Sequence, residues 1–207
     1  MTPNDLPLLD AVRFYRAHGF RPIPMHGVHP DGRCRCGGMD CNAGKHEFRH
    51  LDGQWKEGRE FQPVDFTPDM NVALALGAWG GCPEWLVCLD VDGPADVSTF
   101  FAGLPPTLTQ KSPRGMHHFF LVPPFTPLGN WVDVFLTKYS RGTGLDVRYA
   151  RGKINAAPSR SAFGAYCWCN WRPPAALPPE AVQRILSERR HRGLPVMSRW
   201  ERDGKRA

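Results

Sequence analysis

Asp90 and Asp92 stand at the end of the apolar run Trp85-Leu86-Val87-Cys88-Leu89, with Val91 between them and Gly93-Pro94 after. A run this continuous reads as a strand buried on both faces. Side chains alternate along a strand, so the two carboxylates point the same way, their Cα atoms roughly 6–7 Å apart. Paired acids at the end of a buried strand repel and are costly to desolvate, and a divalent cation between them would relieve both problems. The competing reading is a strand end opening into water, with both acids merely hydrated.

A second group of chemistry-bearing residues lies upstream. Cys34, Cys36, Cys41 and His46 fall in a loop, residues 29–50, with little apolar to bury. Three thiolates and an imidazole form a ligand set that zinc accepts tetrahedrally, with no open position, so such a zinc would be structural. His29 and His50 are alternative fourth ligands, and free thiols in a mobile loop are the plainer alternative. Further on, Ser112-Pro113-Arg114-Gly115-Met116-His117 reads as a turn leading into a strand, and Asp146 and Arg148 share one face of another. His117 and His118 must face opposite ways, so one of them at most can serve a given site. Three carboxylates on strands beside a cationic hairpin suit two-metal phosphoryl transfer, where cations about 4 Å apart need bridging acids and a triphosphate needs donors nearby. Ser112, Arg114 and Arg148 are candidate donors, with Lys111 beside them. No P-loop, nucleophile elbow or dinucleotide fingerprint is present.

The elements that must hold these residues follow from pattern. Leu6 to His18 carries a helical apolar stripe, with Asp5 as candidate N-cap. Phe20 to Met25 reads as a short strand. Asn71 to Gly77 is a strand expected to pair, through a turn at residues 78–84, with the strand bearing Asp90 and Asp92. Pro94 to Phe101 reads as a helix with Asp96 in its first turn. Thr107 to Lys111 and Met116 to Val122 form a hairpin, residues 144–149 a strand, and Gly152 to Ala157 a strand pairing back on it. Glu180 to Arg190 reads as a helix burying Val182, Ile185 and Leu186. Cys82 and Cys88 read as small buried hydrophobes. Cys167 and Cys169 are a possible second metal pair without a third ligand close by, and Trp168 or Trp171 could stack a base.

With 207 residues, 42% hydrophobic, the chain can bury a core, and its 21 glycines and 21 prolines argue against a helical bundle. No membrane-length apolar stretch or signal pattern is present, so a cytoplasmic protein with no membrane partner is expected. From Arg184 to Ala207 eight Lys/Arg stand against three Asp/Glu, +5 of the net +6. A nearly neutral body with a basic tail suits a polyanionic partner, or the tail only solubilises.

In this order and spacing the chain resembles the primase–polymerase (Prim-Pol) branch of the archaeo-eukaryotic primase superfamily. The resemblance runs from about Leu8 to Trp168. It rests on Phe20-Arg21-Pro22-Ile23-Pro24, the Cys/His loop ending Gly44-Lys45-His46, Trp55, Asn71 to Gly77, Leu89-Asp90-Val91-Asp92-Gly93, Ser112 to His117, Gly144 to Arg148 and Ala157-Pro158-Ser159. Glu47 stands where a proline is usual. The resemblance implies an α+β primase catalytic core with an RRM-like antiparallel sheet and an inserted zinc-binding loop. It implies a catalytic domain over residues 1–190, with the loop at 29–50 and a basic tail at 191–207. It implies that Asp90, Asp92 and Asp146 hold Mg²⁺ or Mn²⁺ and that His117 meets the nucleotide's phosphates. The expected activity is template-dependent nucleotidyl transfer by a DNA primase/polymerase of plasmid, phage or mobile-element type. Its partners would be single-stranded DNA, nucleoside triphosphates and, since 207 residues leave no room for the helicase domain of many relatives, a separate replicative helicase. A non-catalytic single-stranded nucleic-acid-binding module and a metal-dependent nuclease are the alternatives.

Overall fold

Helix α1 (Leu8–Ala17) buries Leu8, Ala11, Val12 and Tyr15, the i, i+3, i+4, i+7 stripe of a helix lying on a core. The structure is a computed structural model and describes residues 2–38, 40–48, 51, 54–93, 97–135 and 144–196. Asp5 is not the cap of α1: it lies in a separate 3-10 turn (Pro3–Asp5), and Pro7 is the N-cap residue. The cause is local. A residue before proline is driven out of the helical region, and Leu6 is extended at ψ 141°, so the helix cannot begin before Pro7.

Strand β1 (Arg21–Met25) follows, then β2 (Asn71–Ala75), β3 (Gly77–Ala78) and β4 (Trp85–Asp92). The short helix α2 (Ser98–Phe101) precedes the hairpin of β5 (Leu108–Lys111) and β6 (Gly115–Val122). After β7 (Leu145–Arg148) and β8 (Lys153–Ala156) come four two-residue strands: β9 (Arg160–Ser161), β10 (Gly164–Ala165), β11 (Cys167–Trp168) and β12 (Ala175–Ala176). Helix α3 (Pro179–His191) ends the described elements and buries Val182, Ile185 and Leu186 as expected. Pro94 and Asp96, the anticipated start of α2, lie outside the described residues, as do His50 and the tail from residue 197.

Among the described residues the strands make a seven-stranded sheet in the order β11-β5-β6-β4-β3, with β7 on β4 and β12 on β6, a three-stranded sheet β1-β2-β8, and the small hairpin β9-β10. Two expected pairings are corrected. β2 does not pair with β4; buried at all five positions, it is the centre strand between β1 and β8, and only β3 reaches β4 through Gly77↔Leu86 and Ala78↔Trp85. β8 does not pair with β7 but with β2. The other edge of β7 is already taken, because Trp131 exchanges backbone hydrogen bonds with Val147 at 2.8 Å each way and Val134 N donates to Leu145 O.

The large sheet separates two cores. On one face Leu86, Cys88, Leu108 and Phe119 pack with α1 and the three-stranded sheet, through Tyr15, Ile23, Leu74 and Trp168. On the other, Val87, Leu89, Phe120 and Leu145 pack with Phe100 of α2 and Ile185 of α3. β4 is therefore buried on both faces, and its alternation divides it cleanly between the two cores. Trp168 is buried in the first core, where its indole N–H donates to the Tyr15 hydroxyl at 2.7 Å, so it has no face to offer a base. Cys88 is fully buried, whereas Cys82 is only half-buried.

Candidate active site

The acids stand where sheet register puts them. Asp90 of β4 is directly opposite His117 of β6 on one side and Asp146 of β7 on the other, and His117 in turn faces Gln110 of β5. One row thus crosses four strands as Gln110, His117, Asp90, Asp146, and in-register partners share a face. Asp92 is two residues along on that same face, opposite Gly115. Gly115 is required there: a Cβ would lie 1.8 Å from the Val91 carbonyl oxygen. The turn between β5 and β6 is closed by Ser112, whose Oγ accepts the Gly115 N–H at 3.0 Å.

One cleft of about 450 Å³ has Asp90, Asp92, Ser112, Arg114, His117 and Arg148 at its wall. Of the sequence-assigned group, Asp146 is adjacent through Arg148, whose Nη2 donates to Asp146 Oδ2 at 2.6 Å, while the Asp133 N–H donates to Oδ1 at 2.7 Å. Arg114 Nη2 donates to Asp92 Oδ2 at 2.7 Å. His117 Nε2 lies 3.3 Å from Asp90 Oδ1 without the alignment of a hydrogen bond, so that buried oxygen has no hydrogen-bond partner among the described residues. His118 faces the opposite core, its ring tilted against Phe101 at 4.5 Å, as strand alternation requires.

The electrostatics fit an acidic centre ringed by cations. Burial pushes the Asp90 carboxyl up, but the ring N–H of His117 beside it and the Arg148 and Lys45 charges outweigh this and hold it below the usual carboxylate range. Burial raises Asp146 to about 6, only partly offset by the Asp133 N–H and Arg148, with the Asp90 charge adding to the rise. Burial, and then the Arg114 charge, lower the Lys45 ammonium. An unpartnered buried carboxylate oxygen, two further acids on the same face and all-oxygen donors are what a hard divalent cation such as Mg²⁺ or Mn²⁺ accepts.

Sequence reasoning missed part of the site. Lys45 was read only as part of a motif, yet it lines the cleft with Lys153, Asn155, Phe163 and Tyr166. Gly44 holds it there: its carbonyl accepts from Asn71 Nδ2 at 3.0 Å and Asn155 Nδ2 at 2.7 Å, bolting the end of the Cys/His loop to β2 and β8. Gly44 has φ +76°, and a Cβ would meet Arg160 O at 2.5 Å, so no other residue fits. Gln110 was unassigned because it carries no motif; only its ladder position opposite His117 marks it.

The Cys/His loop is a separate cluster. Ligand atoms of Cys34, Cys36, Cys41 and His46 all lie within 4.8 Å of one another, and this is the one such group among the described residues. Cys34 Sγ is 3.0 Å from His46 Nε2, and Cys36 Sγ is 3.5 Å from Cys41 Sγ. A zinc tetrahedron has edges of roughly 3.3–3.8 Å, so these contacts sit at or just under its dimensions. His46, not His29, completes the group. Cys167 and Cys169 are exposed and join no such cluster among the described residues.

A family model described as bifunctional DNA primase/polymerase, N-terminal (Prim-Pol), matches residues 12–180. The chain belongs to the Prim-Pol family. Comparison with curated proteins found no match. As a Prim-Pol domain it is a primase/polymerase-type nucleotidyltransferase in the general sense, of a metal-dependent family whose substrates are DNA and nucleotides. The mixed α/β architecture with antiparallel sheets is consistent with that membership. Among the described residues no helix is long and apolar enough to cross a membrane.

Proposed function

We propose that the cleft is a nucleotidyl-transfer centre in which Asp90, Asp92 and Asp146 hold two divalent cations, Mg²⁺ or Mn²⁺. The observation that carries this reading is the in-register row His117–Asp90–Asp146 with its unpartnered buried Asp90 oxygen. Bound there, the cations would supply Lewis acidity to a primer 3′-hydroxyl and neutralise the departing pyrophosphate. The 3′-oxygen forms a bond to the α-phosphorus while the α–β phosphoanhydride breaks.

The chain's own residues bind and orient the triphosphate. Arg114 and Arg148 now neutralise Asp92 and Asp146. Cations held there would neutralise those acids instead and would leave both guanidiniums free for phosphate oxygens, the bidentate partners they suit best. Lys45 and Ser112 add donors, and His117 donates from Nε2. Phe163, 70% exposed at the cleft wall, offers an apolar face to a base. In this reading residues 1–190 form a primase catalytic core with an RRM-like sheet, and 29–50 are a zinc-stapled insertion. The basic segment 191–207 contacts single-stranded template, and a separate helicase opens it. The protein works in the cytoplasm, in plasmid, phage or mobile-element replication.

The test is incorporation of labelled nucleotide on single-stranded DNA, primed and unprimed, with Mg²⁺ or Mn²⁺. Asp90→Ala and Asp92→Ala should each abolish incorporation while leaving the fold intact by circular dichroism. Incorporation by a folded Asp90→Ala protein would sink the assignment. Nucleotide release without added triphosphate would point to a nuclease, and metal-insensitive DNA binding without synthesis to a binding module.

A further inference from the structure

Gln110 is fully buried, and its amide is oriented by backbone groups whose roles cannot be exchanged. Oε1 accepts the Ala157 N–H at 2.9 Å, and a peptide N–H can only donate. Nε2 lies 2.9 Å from the Asn155 carbonyl oxygen, which can only accept. The side chain of Gln110 therefore has one possible sense, with its NH₂ toward β8. That same NH₂ sits 2.9 Å from His117 Nδ1.

A donor facing Nδ1 requires Nδ1 to be an acceptor, and a neutral imidazole that accepts at one nitrogen carries its proton on the other. We infer that Gln110 locks His117 as the neutral Nε2–H tautomer, a one-way hydrogen-bond donor into the cleft. Burial of His117, 3% exposed, keeps water from replacing Gln110 as the partner of Nδ1. The ring plane is set as well, by Tyr166 at 5.8 Å on one side and Phe119 edge-on at 6.4 Å.

This inference deepens the nucleotidyl-transfer reading and rests on it for its purpose, since a donor at Nε2 suits a phosphate oxygen. It makes Gln110 a positioning residue, acting through His117 and touching no substrate. With Nδ1 taken up by Gln110, the Nε2–H is the edge of His117 left for the triphosphate.

The test uses the full chain labelled with ¹⁵N-histidine, read by long-range ¹H–¹⁵N spectra that separate the neutral tautomers. His117→Asn identifies the His117 signals among those of the eight histidines. The wild type should show the Nε2–H form; an Nδ1–H form or an even mixture overturns the proposal. Gln110→Glu, which turns the donor into an acceptor, should move the proton to Nδ1 or protonate both nitrogens. Gln110→Met should give mixed tautomers. It should also bind an α,β-imido deoxynucleoside triphosphate with Mn²⁺ about tenfold more weakly, the scale of one good hydrogen bond to a charged group. A folded Gln110→Met protein with unchanged tautomer and unchanged affinity overturns it. Where neither variant folds, the wild-type spectrum still decides. Failure of the nucleotidyl-transfer reading is separable: it shows as incorporation by Asp90→Ala, with the His117 spectrum unaffected.

Discussion

Adjacent histidines on β6 have opposite fates because a strand alternates. His117 joins the acids, whereas His118 lies against Phe101 with Thr109 Oγ1 at 3.5 Å from its Nδ1. Burial pushes His118 down to about 4. A histidine pKa lowered on folding favours the neutral form, so its contribution to stability is intact above its unfolded value near 6.5 and lost as pH falls toward 4. The full shift corresponds to about 3 kcal/mol, and about 2 is expected after allowing for partial exposure. His118→Phe should remove this part of the acid limb in urea titrations between pH 7 and pH 4. An unchanged pH slope would refute the assignment. Residues of this kind were half legible in sequence. Alternation alone separated His117 from His118 and put Asp90 with Asp92. Gln110 and Asn155 were not legible as site residues, because nothing in their neighbours marks them, and Lys45 stood in a motif with no role attached; only long-range pairing brings the three to the site.

Elements were read best where one strand's pattern sufficed. β4 and β6 were legible to within a residue because continuous apolar runs bounded by Gly93 and Gly115 leave little freedom. Pairing was less legible: β2 and β8 find each other across about 80 residues of sequence, a contact no local pattern encodes. The Cys/His loop was legible as a cluster because its spacing is itself the signal. Replacing Cys34 and Cys36 together by Ser removes two of four ligands, and bound zinc should fall from about one per chain to trace by metal analysis. Because Gly44 ties the loop's end to Asn71 and Asn155 independently of the thiolates, Lys45 should keep its place, and nucleotide affinity should fall far less than zinc content. The β9–β10 hairpin carries Phe163 to the cleft mouth. Phe163→Ala should raise KM for nucleotide or template about tenfold, the value of one lost stacking face, with zinc content unchanged. An unaltered KM would remove the ring from the binding surface.

At the scale of the whole molecule, one sheet separates a site-bearing core from a purely structural one. Ile185 of α3 is fully buried in the latter, far in role from the acids. Ile185→Val should cost about 1 kcal/mol and Ile185→Ala about 2–5, from lost burial plus a cavity. Below the transition, zinc content and nucleotide affinity should match the wild type. A loss of affinity in folded Ile185→Val would mean that the two cores are coupled through the sheet. The family match over residues 12–180 takes in strands that line both cores and stops at the first turn of α3.

The cross-sheet row has a further consequence, one of parity. Every member sits at a matched ladder position, so the cleft depends on whether each side chain falls on an odd or even count from its turn. One residue added between Trp85 and Asp90, unless absorbed as a bulge, would send the acids into the opposite core and bring Leu89 and Val91 to the cleft. The same insertion in the loop at residues 79–84 would leave the count within β4 untouched. Length variation in such a protein is thus tolerated in steps set by turns and forbidden within four short strands, a rule that deletion and insertion scanning can read directly.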